Sequence, residues 1–266
     1  MYLSSHNEKN TSSKACASRY AKAMNLQDKG VLITGGGTGT GRAVALALAA
    51  EGCRVGITGR REEKLEETVA LNNRGPSIQF LTGDVANRDD VSRLFEWAAE
   101  AIGRIDILVN SAGINVKKRA VKDLAPEDFD RLISINCTGA YNTIHAVLPQ
   151  MRKRQDGLII NINSIAGLRA SQLAGLGYST AKFAMTALAR NVANEEAENG
   201  IRVTSIFPGE INTPILAERP EPVSEERKAT LLQPEDLGAT VVYLAKLPSH
   251  AHVSDLVIKP VGQIFS

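Results

Sequence analysis

The run GVLITGGGTGTGRAVALALAAEG, residues 30–52, constrains this chain more than any other stretch. It reads as a short apolar strand over 30–34, a glycine-rich turn, and a helix over about 40–51. Gly35, Gly37, Gly39 and Gly41 leave backbone amides bare at a helix N-terminus, where the helix dipole favours an anion. A strand before such a turn and a helix after it make the turn a nucleotide-phosphate site. Arg42 follows, and no Gly-Lys-Ser/Thr is present, so the lysine of a triphosphate-binding loop is missing. A dinucleotide pyrophosphate fits this turn better than ATP.

The pattern continues along the chain. Apolar segments at 53–60, 78–82, 105–110, 157–163, 201–207 and 256–259 read as strands. Helical stretches lie near 61–73, 88–102, 126–155 and 178–199. This alternation predicts an α/β fold, a doubly wound parallel sheet of about seven strands with helices on both faces and right-handed crossovers. Ligands in such folds sit outside the carboxyl ends of the strands. The second strand ends at Thr58, Gly59, Arg60 and Arg61, with no acid before Glu62. An acidic residue there would bind the 2′-hydroxyl of NAD, whereas an arginine accommodates the 2′-phosphate of NADP, so Arg60 favours NADP(H) over NAD(H).

Tyr178 and Lys182, in GYSTAKFAMTALA, stand four residues apart and so share one face of a helix. A phenol with an ordinary pKa of about 10 is a poor acid near neutrality. A neighbouring ammonium stabilises the phenolate and brings its pKa toward the working range. Such a tyrosine hands a proton to a carbonyl oxygen or takes one from an alcohol.

Taken together, these residues closely resemble the short-chain dehydrogenase/reductase family, whose fold is of the Rossmann type. Thr34-Gly35-x-x-x-Gly39-x-Gly41 resembles its glycine motif, and Asp84-Val85 the segment that contacts adenine. Asn110-Ser111-Ala112-Gly113 resembles its Asn-Asn-Ala-Gly turn, with serine in second place. Asn136 in SINCTGAYN, Ser164 in NINSIAG and Tyr178-x-x-x-Lys182 resemble the catalytic set. Pro208-Gly209, with Ile211 and Thr213 just after, resembles the segment that closes over the nicotinamide. The resemblance implies further cofactor contacts from Gly37, Thr38 and Thr40, and from the backbone of Ala112 and Gly113. It implies Tyr178 as general acid/base, Lys182 on the nicotinamide ribose, Ser164 on the substrate oxygen, and Asn136 holding a relay water. It also implies a homo-oligomer, a dimer or homotetramer, paired through the long helices around 140–155 and 178–199. Two departures stand out. Ser164 and Tyr178 are 14 positions apart, slightly more than is usual, and the C-terminus LVIKPVGQIFS lacks the glycine-rich ending of fatty-acid-type reductases.

The expected function is therefore an NADP(H)-dependent carbonyl reductase or alcohol dehydrogenase acting on a small molecule. The competing readings are a catalytically silent NADP(H)-binding sensor or scaffold, and a nucleotide-sugar epimerase or dehydratase. The last fits poorly, because only about 50 residues follow Pro208. Composition narrows the partners. With 43% hydrophobic residues, 23% charged and a net charge of +2, the chain has no basic stripe for nucleic acid and no apolar run of about 20 residues for a membrane. Cys16, Cys53 and Cys137 are irregularly spaced, which suggests neither disulfides nor a zinc site, and His145 has no partner at ligand spacing. A cytoplasmic enzyme without metal is expected, with Cys53 and Cys137 as small buried residues. Residues 1–25 read as a mobile polar tail, and 213–233, with three prolines and many charges, as a short lid. Pocket walls are expected from 114–119, 166–177 and 210–221. Within the first of these, Lys117, Lys118 and Arg119 read either as a recruiting site for an acidic substrate or as a solvated basic loop.

Overall fold

The computed structural model describes residues 24–264, so nearly all of the expected N-terminal tail, including Cys16, lies outside the described residues. Seven strands form one parallel sheet: β1 (Gly30–Thr34), β2 (Arg54–Gly59), β3 (Gln79–Thr82), β4 (Ile107–Asn110), β5 (Gly157–Ile162), β6 (Ile201–Pro208) and β7 (Asp255–Ile258). Their order is β3-β2-β1-β4-β5-β6-β7. The order reverses between β1 and β4, where Thr34 is in register with Asn110. A crevice therefore opens beyond the carboxyl ends of these two strands, the position at which doubly wound sheets bind ligands.

Strand alternation divides the core in two. Val31, Ile33, Ile107, Val109 and Ile160 face one apolar cluster, while Leu32, Leu108 and Ile159 face the other. The first cluster is closed by α1 (Gly39–Ala50), through Val44 and Leu48, and by a C-terminal helix. The second is closed by α3 (Arg88–Ala101), α5 (Gly139–Arg154) and α6 (Leu176–Glu196). The central strands are buried on both faces, as a parallel sheet requires, while the edges β3 and β7 are partly exposed. Helix α2 (Glu62–Leu71) packs over β2 and β3, and α3 is capped by Asn87, whose side chain accepts from the amides of Asp89 and Asp90.

Two elements depart from expectation. The stretch 126–155 is not one helix: α4 (Pro126–Ile133) leads into a π-helical turn over Ser134–Thr138 before α5 begins. The turn coincides with a distant contact: the Asn136 side chain bonds the backbone of Ile114, 22 positions away, in both directions at 3.1 Å each, and donates to Leu132 O at 2.9 Å. The C-terminal helix that closes the first cluster, Pro234–Ala245, was not expected at all. After a five-residue helix α7 (Glu225–Ala229), this α8 starts with proline in its first turn and a reciprocal capping box between Gln233 and Asp236.

The glycine turn admits no side chains at its tightest point. A Cβ on Gly41 would collide with the carbonyl oxygen of Gly35, itself held at φ +68°. Replacing Gly41 by alanine is expected to destabilise the fold by about 1–3 kcal/mol, the usual cost of overpacking. Urea denaturation of the two proteins side by side measures it, and an unchanged midpoint would contradict the close approach.

Candidate active site

Beyond the ends of β1 and β4 lies a cleft of about 500 Å³. Its floor is the N-terminus of α1, where Thr38 caps with extended backbone and no side-chain hydrogen bond. The first-turn amides of that helix are left without an intrahelical partner. Gly35, Gly37, Thr38, Gly39, Thr40 and Gly41 line this end, with Ala112 packed against Gly35 and Thr213 against Gly39; Arg60, Asp84, Val85, Gly113, Tyr178, Lys182 and Ile211 line the rest. Arg61 and Lys64 line it too. Lys64 was absent from the expected set. It stands one turn inside a helix, where nothing in its local pattern separates it from a solvated lysine, and it is ion-paired to Glu67. An uncapped helix N-terminus, bare glycine backbone and cations at the β2 end together fit a dinucleotide phosphate chain.

The remaining expected residues lie elsewhere. Thr34 is buried, and its hydroxyl accepts from the amides of Ser111 and Ala112 at 3.2 Å each, tying the two strand ends together. Asn110 is buried in a side-chain chain of bonds to Asn161 at 3.0 Å and from Thr143 at 2.7 Å. Both shape the cleft from behind rather than line it. Asn136 is likewise fully buried, although a Cβ on Gly113 would sit 2.8 Å from its Oδ1 and 3.9 Å from Lys182 Nζ. The two polar ends thus converge on Gly113. Ser164, Pro208 and Gly209 line a second, smaller cleft of about 180 Å³, which shares Tyr178, Ile211 and Thr213 with the first.

Tyr178 stands where the clefts meet, on the third residue of α6, which begins two residues earlier than expected. Ser164 lines the smaller cleft with it, its hydroxyl accepting from the amide of Ala166 at 3.1 Å. Lys182 Nζ lies 5.6 Å from the centre of the Tyr178 ring and donates to Ile162 O at 3.0 Å. Burial raises the Tyr178 phenol above its ordinary value, opposed by the neighbouring Ser164 hydroxyl and the positive charge of Arg119. Burial also lowers Lys182 to about 8. Two cations thus stand by Tyr178: Lys182 against its ring, and Arg119, whose charge favours the phenolate.

Arg119 resolves the question left open by the basic triplet. Lys117 and Lys118 are exposed, but Arg119 is buried and lines the smaller cleft. Cys53 is buried as expected, whereas Cys137 is only partly so. His145 is exposed, its ring 5.8 Å from that of Tyr141. Among the described residues no group of three or more His, Cys, Asp or Glu could hold a metal ion, and no helix is long and apolar enough to cross a membrane.

The sheet order, the uncapped helix at its switch point and Tyr178 at the junction of two clefts, Lys182 lining the larger and Ser164 the smaller, are the arrangement of a dinucleotide-binding α/β protein. The chain belongs to the short chain dehydrogenase family, whose model matches residues 29–224. It is 35% identical over 240 residues to an uncharacterised oxidoreductase of Staphylococcus saprophyticus, covering 90% of this chain and all of the relative. Among solved structures it is similar to an alcohol dehydrogenase from the archaeon Thermococcus sibiricus complexed with 5-hydroxy-NADP (27% identity, TM-score 0.79, 89% of this chain and 98% of that one). It is equally similar to a 3-ketoacyl-(acyl-carrier-protein) reductase from Brucella melitensis complexed with NADH (27% identity, TM-score 0.80, 90% and 100% covered).

Proposed function

We propose that this protein is an NADP(H)-dependent reductase or dehydrogenase that interconverts a small carbonyl compound and its alcohol, with Tyr178 as general acid/base. The observation that carries this reading is the position of Tyr178 at the junction of the two clefts, with Lys182 lining the larger and Ser164 the smaller. The larger cleft accommodates the cofactor, with its pyrophosphate at the first turn of α1 and its nicotinamide toward Lys182. When bound, the nicotinamide supplies or accepts a hydride. Ser164 donates to the substrate oxygen and stabilises the charge that develops there. Tyr178 gives that oxygen its proton in reduction and removes it in oxidation. Lys182 holds the nicotinamide ribose, and Asn136 supports that end of the cleft from behind Gly113. Segment 213–233 acts as the lid, hinged where Ile211 bridges Leu232 and Asn212 bonds Leu232 O at 2.8 Å.

Following NADPH and NADH consumption at 340 nm over a panel of aldehydes, diketones, oxo acids and 3-oxoacyl thioesters tests the whole reading. Preference for NADPH rests on Arg60, which is exposed at the mouth of the cleft. Arg60→Asp is expected to lower the NADPH-over-NADH ratio of kcat/KM by about tenfold or more, since a phosphate-pairing cation becomes a repelling carboxylate. An unchanged ratio would remove Arg60 from cofactor choice.

A further inference from the structure

The smaller cleft holds a buried cation, Arg119, whose role need not end with its effect on Tyr178. Arg119 is 7% exposed, and its guanidinium is held by carbonyl oxygens alone. Nε donates to Val116 O at 2.9 Å, Nη1 to Leu173 O at 2.7 Å, and Nη2 to Glu218 O. A guanidinium offers five N–H donors and stays charged in proteins, so two donors remain for a ligand. Among the described residues no carboxylate forms an ion pair with it. Arg219 lines the same cleft and adds a second positive charge nearby, while the Glu218 carboxylate, on the larger cleft and not ion-paired with Arg119, partly offsets it. The one carboxylate in the lining, Glu210, is already committed on both oxygens: Oε2 to Arg219 and Oε1 to Arg227, at 3.0 Å each. The fixed charges of the lining, two arginines against this one glutamate, leave the cleft net positive.

An unpaired buried cation is costly unless something compensates it. Three loops converge to hold this one beside the candidate acid/base. Tyr178 and Ser164 line the same space, and the backbone carbonyl of Arg119 accepts from the amide of Leu176, the first residue of α6, at 3.2 Å. The remaining walls include Ala166, Leu173, Ile211 and Leu216. At about 180 Å³ the space falls below the roughly 300–1,000 Å³ typical of sites for drug-sized ligands.

We propose that the substrate of this cleft is a small carboxylic acid, an oxo acid or the corresponding hydroxy acid, whose carboxylate pairs with Arg119 while its carbonyl faces Tyr178 and Ser164. The proposal rests on the reading of Tyr178 given above. In reduction the carbonyl carbon gains a hydride from the reduced cofactor and the oxygen gains the Tyr178 proton. The C=O π bond is lost, the cofactor leaves oxidised, and the carboxylate is unchanged. Lys117 and Lys118 line neither cleft and take no part.

The test pairs pyruvate, 3-oxobutanoate and 4-oxopentanoate each with its primary amide, which keeps the shape and removes the charge. With the wild-type protein and NADPH, at least one acid is expected to exceed its amide in kcat/KM by about tenfold or more, as for loss of a charge-assisted bond. In Arg119→Gln that preference is expected to shrink to within about twofold, and in Arg119→Lys to survive in part. A merely structural arginine would depress acid and amide together and leave their ratio unchanged. If the variants do not fold, or if no pair turns over, calorimetric titration of the wild-type protein with the same acids and amides decides, with and without NADP+. Equal binding, or no binding of any acid, overturns the proposal, as does an acid preference that persists in Arg119→Gln. Equal turnover of acids and amides, abolished by Tyr178→Phe, would leave the reductase reading standing and remove only this inference. Selective acid binding with turnover intact in Tyr178→Phe would do the reverse.

Discussion

Tyr178→Phe will lower kcat by about 10²–10⁴-fold, the usual contribution of a positioned general acid/base, and leave the fold and the cofactor affinity close to wild type. The substitution removes a single oxygen. The ring that Lys182 lies against is kept. Ser164 does not become an orphan, because its hydroxyl still accepts from the amide of Ala166 at 3.1 Å. Stability by urea denaturation and NADPH affinity by fluorescence titration therefore serve as controls, and kcat for whichever carbonyl the panel identifies is the readout. A variant that keeps more than about a tenth of wild-type kcat would move the acid/base role off Tyr178. A variant that unfolds would show the hydroxyl to be structural, which the Ser164 and Ala166 geometry argues against.

The second large effect concerns Lys182, and it appears in stability without any substrate. The amine is 3% exposed and titrates at about 8 in the folded protein, against an ordinary 10.5. Below pH 8 both folded and unfolded chains carry the proton, and the fold bears the cost of a buried ammonium. Between 8 and 10.5 the unfolded chain still holds a proton that the folded chain has released, so stability rises with pH. The rise expected from the lysine between about pH 7.5 and 9.5 is roughly 2 kcal/mol. Tyr178 acts with the opposite sign, because its folded phenol titrates above the ordinary 10, so that stability falls only at higher pH. Cys53 and Cys137, whose thiols burial raises above the ordinary 9.0, oppose the rise within the same window, because their unfolded forms ionise first. Urea denaturation of wild type and Lys182→Met across the window therefore isolates the lysine by difference: the wild-type stability is expected to climb relative to the variant by roughly 2 kcal/mol. Parallel profiles would mean that Lys182 is better solvated than its burial implies.

Fold class was legible because short continuous apolar runs and a glycine turn are local signals, and Val31, Leu32 and Ile33 carry them without help from distant residues. The site was legible where chemistry and spacing coincide, as at Tyr178 and Lys182 or at the Gly35–Gly41 turn. What stayed hidden depends on contacts far apart in the chain. The π-turn at Ser134–Thr138 coincides with Asn136 reaching Ile114, 22 positions away, and nothing in SINCT reveals it. Arg119 looks like the third member of a solvated triplet until Leu173 and Glu218 fold over it. That the charge of Arg119 reaches Tyr178 depends on how distant segments pack, which one sequence cannot supply. Helix α8 was the avoidable omission, since Gln233-Pro234 with Asp236 is a capping signal readable without any structure.

Arg42, noted first only because it is not the lysine of a triphosphate loop, has a consequence for how a nucleotide is received. Its guanidinium donates to Gly37 O at 2.5 Å and to Thr68 Oγ1 at 3.0 Å, while the Thr68 hydroxyl reaches Gly36 O at 3.0 Å. Two carbonyls of the most flexible sequence in the chain are thereby strapped to α2. Glycines confer conformational freedom, and freedom lost on binding subtracts from affinity. Here that entropy is already spent in the empty protein, so an arriving phosphate meets a rigid mould and forfeits almost nothing to shape it.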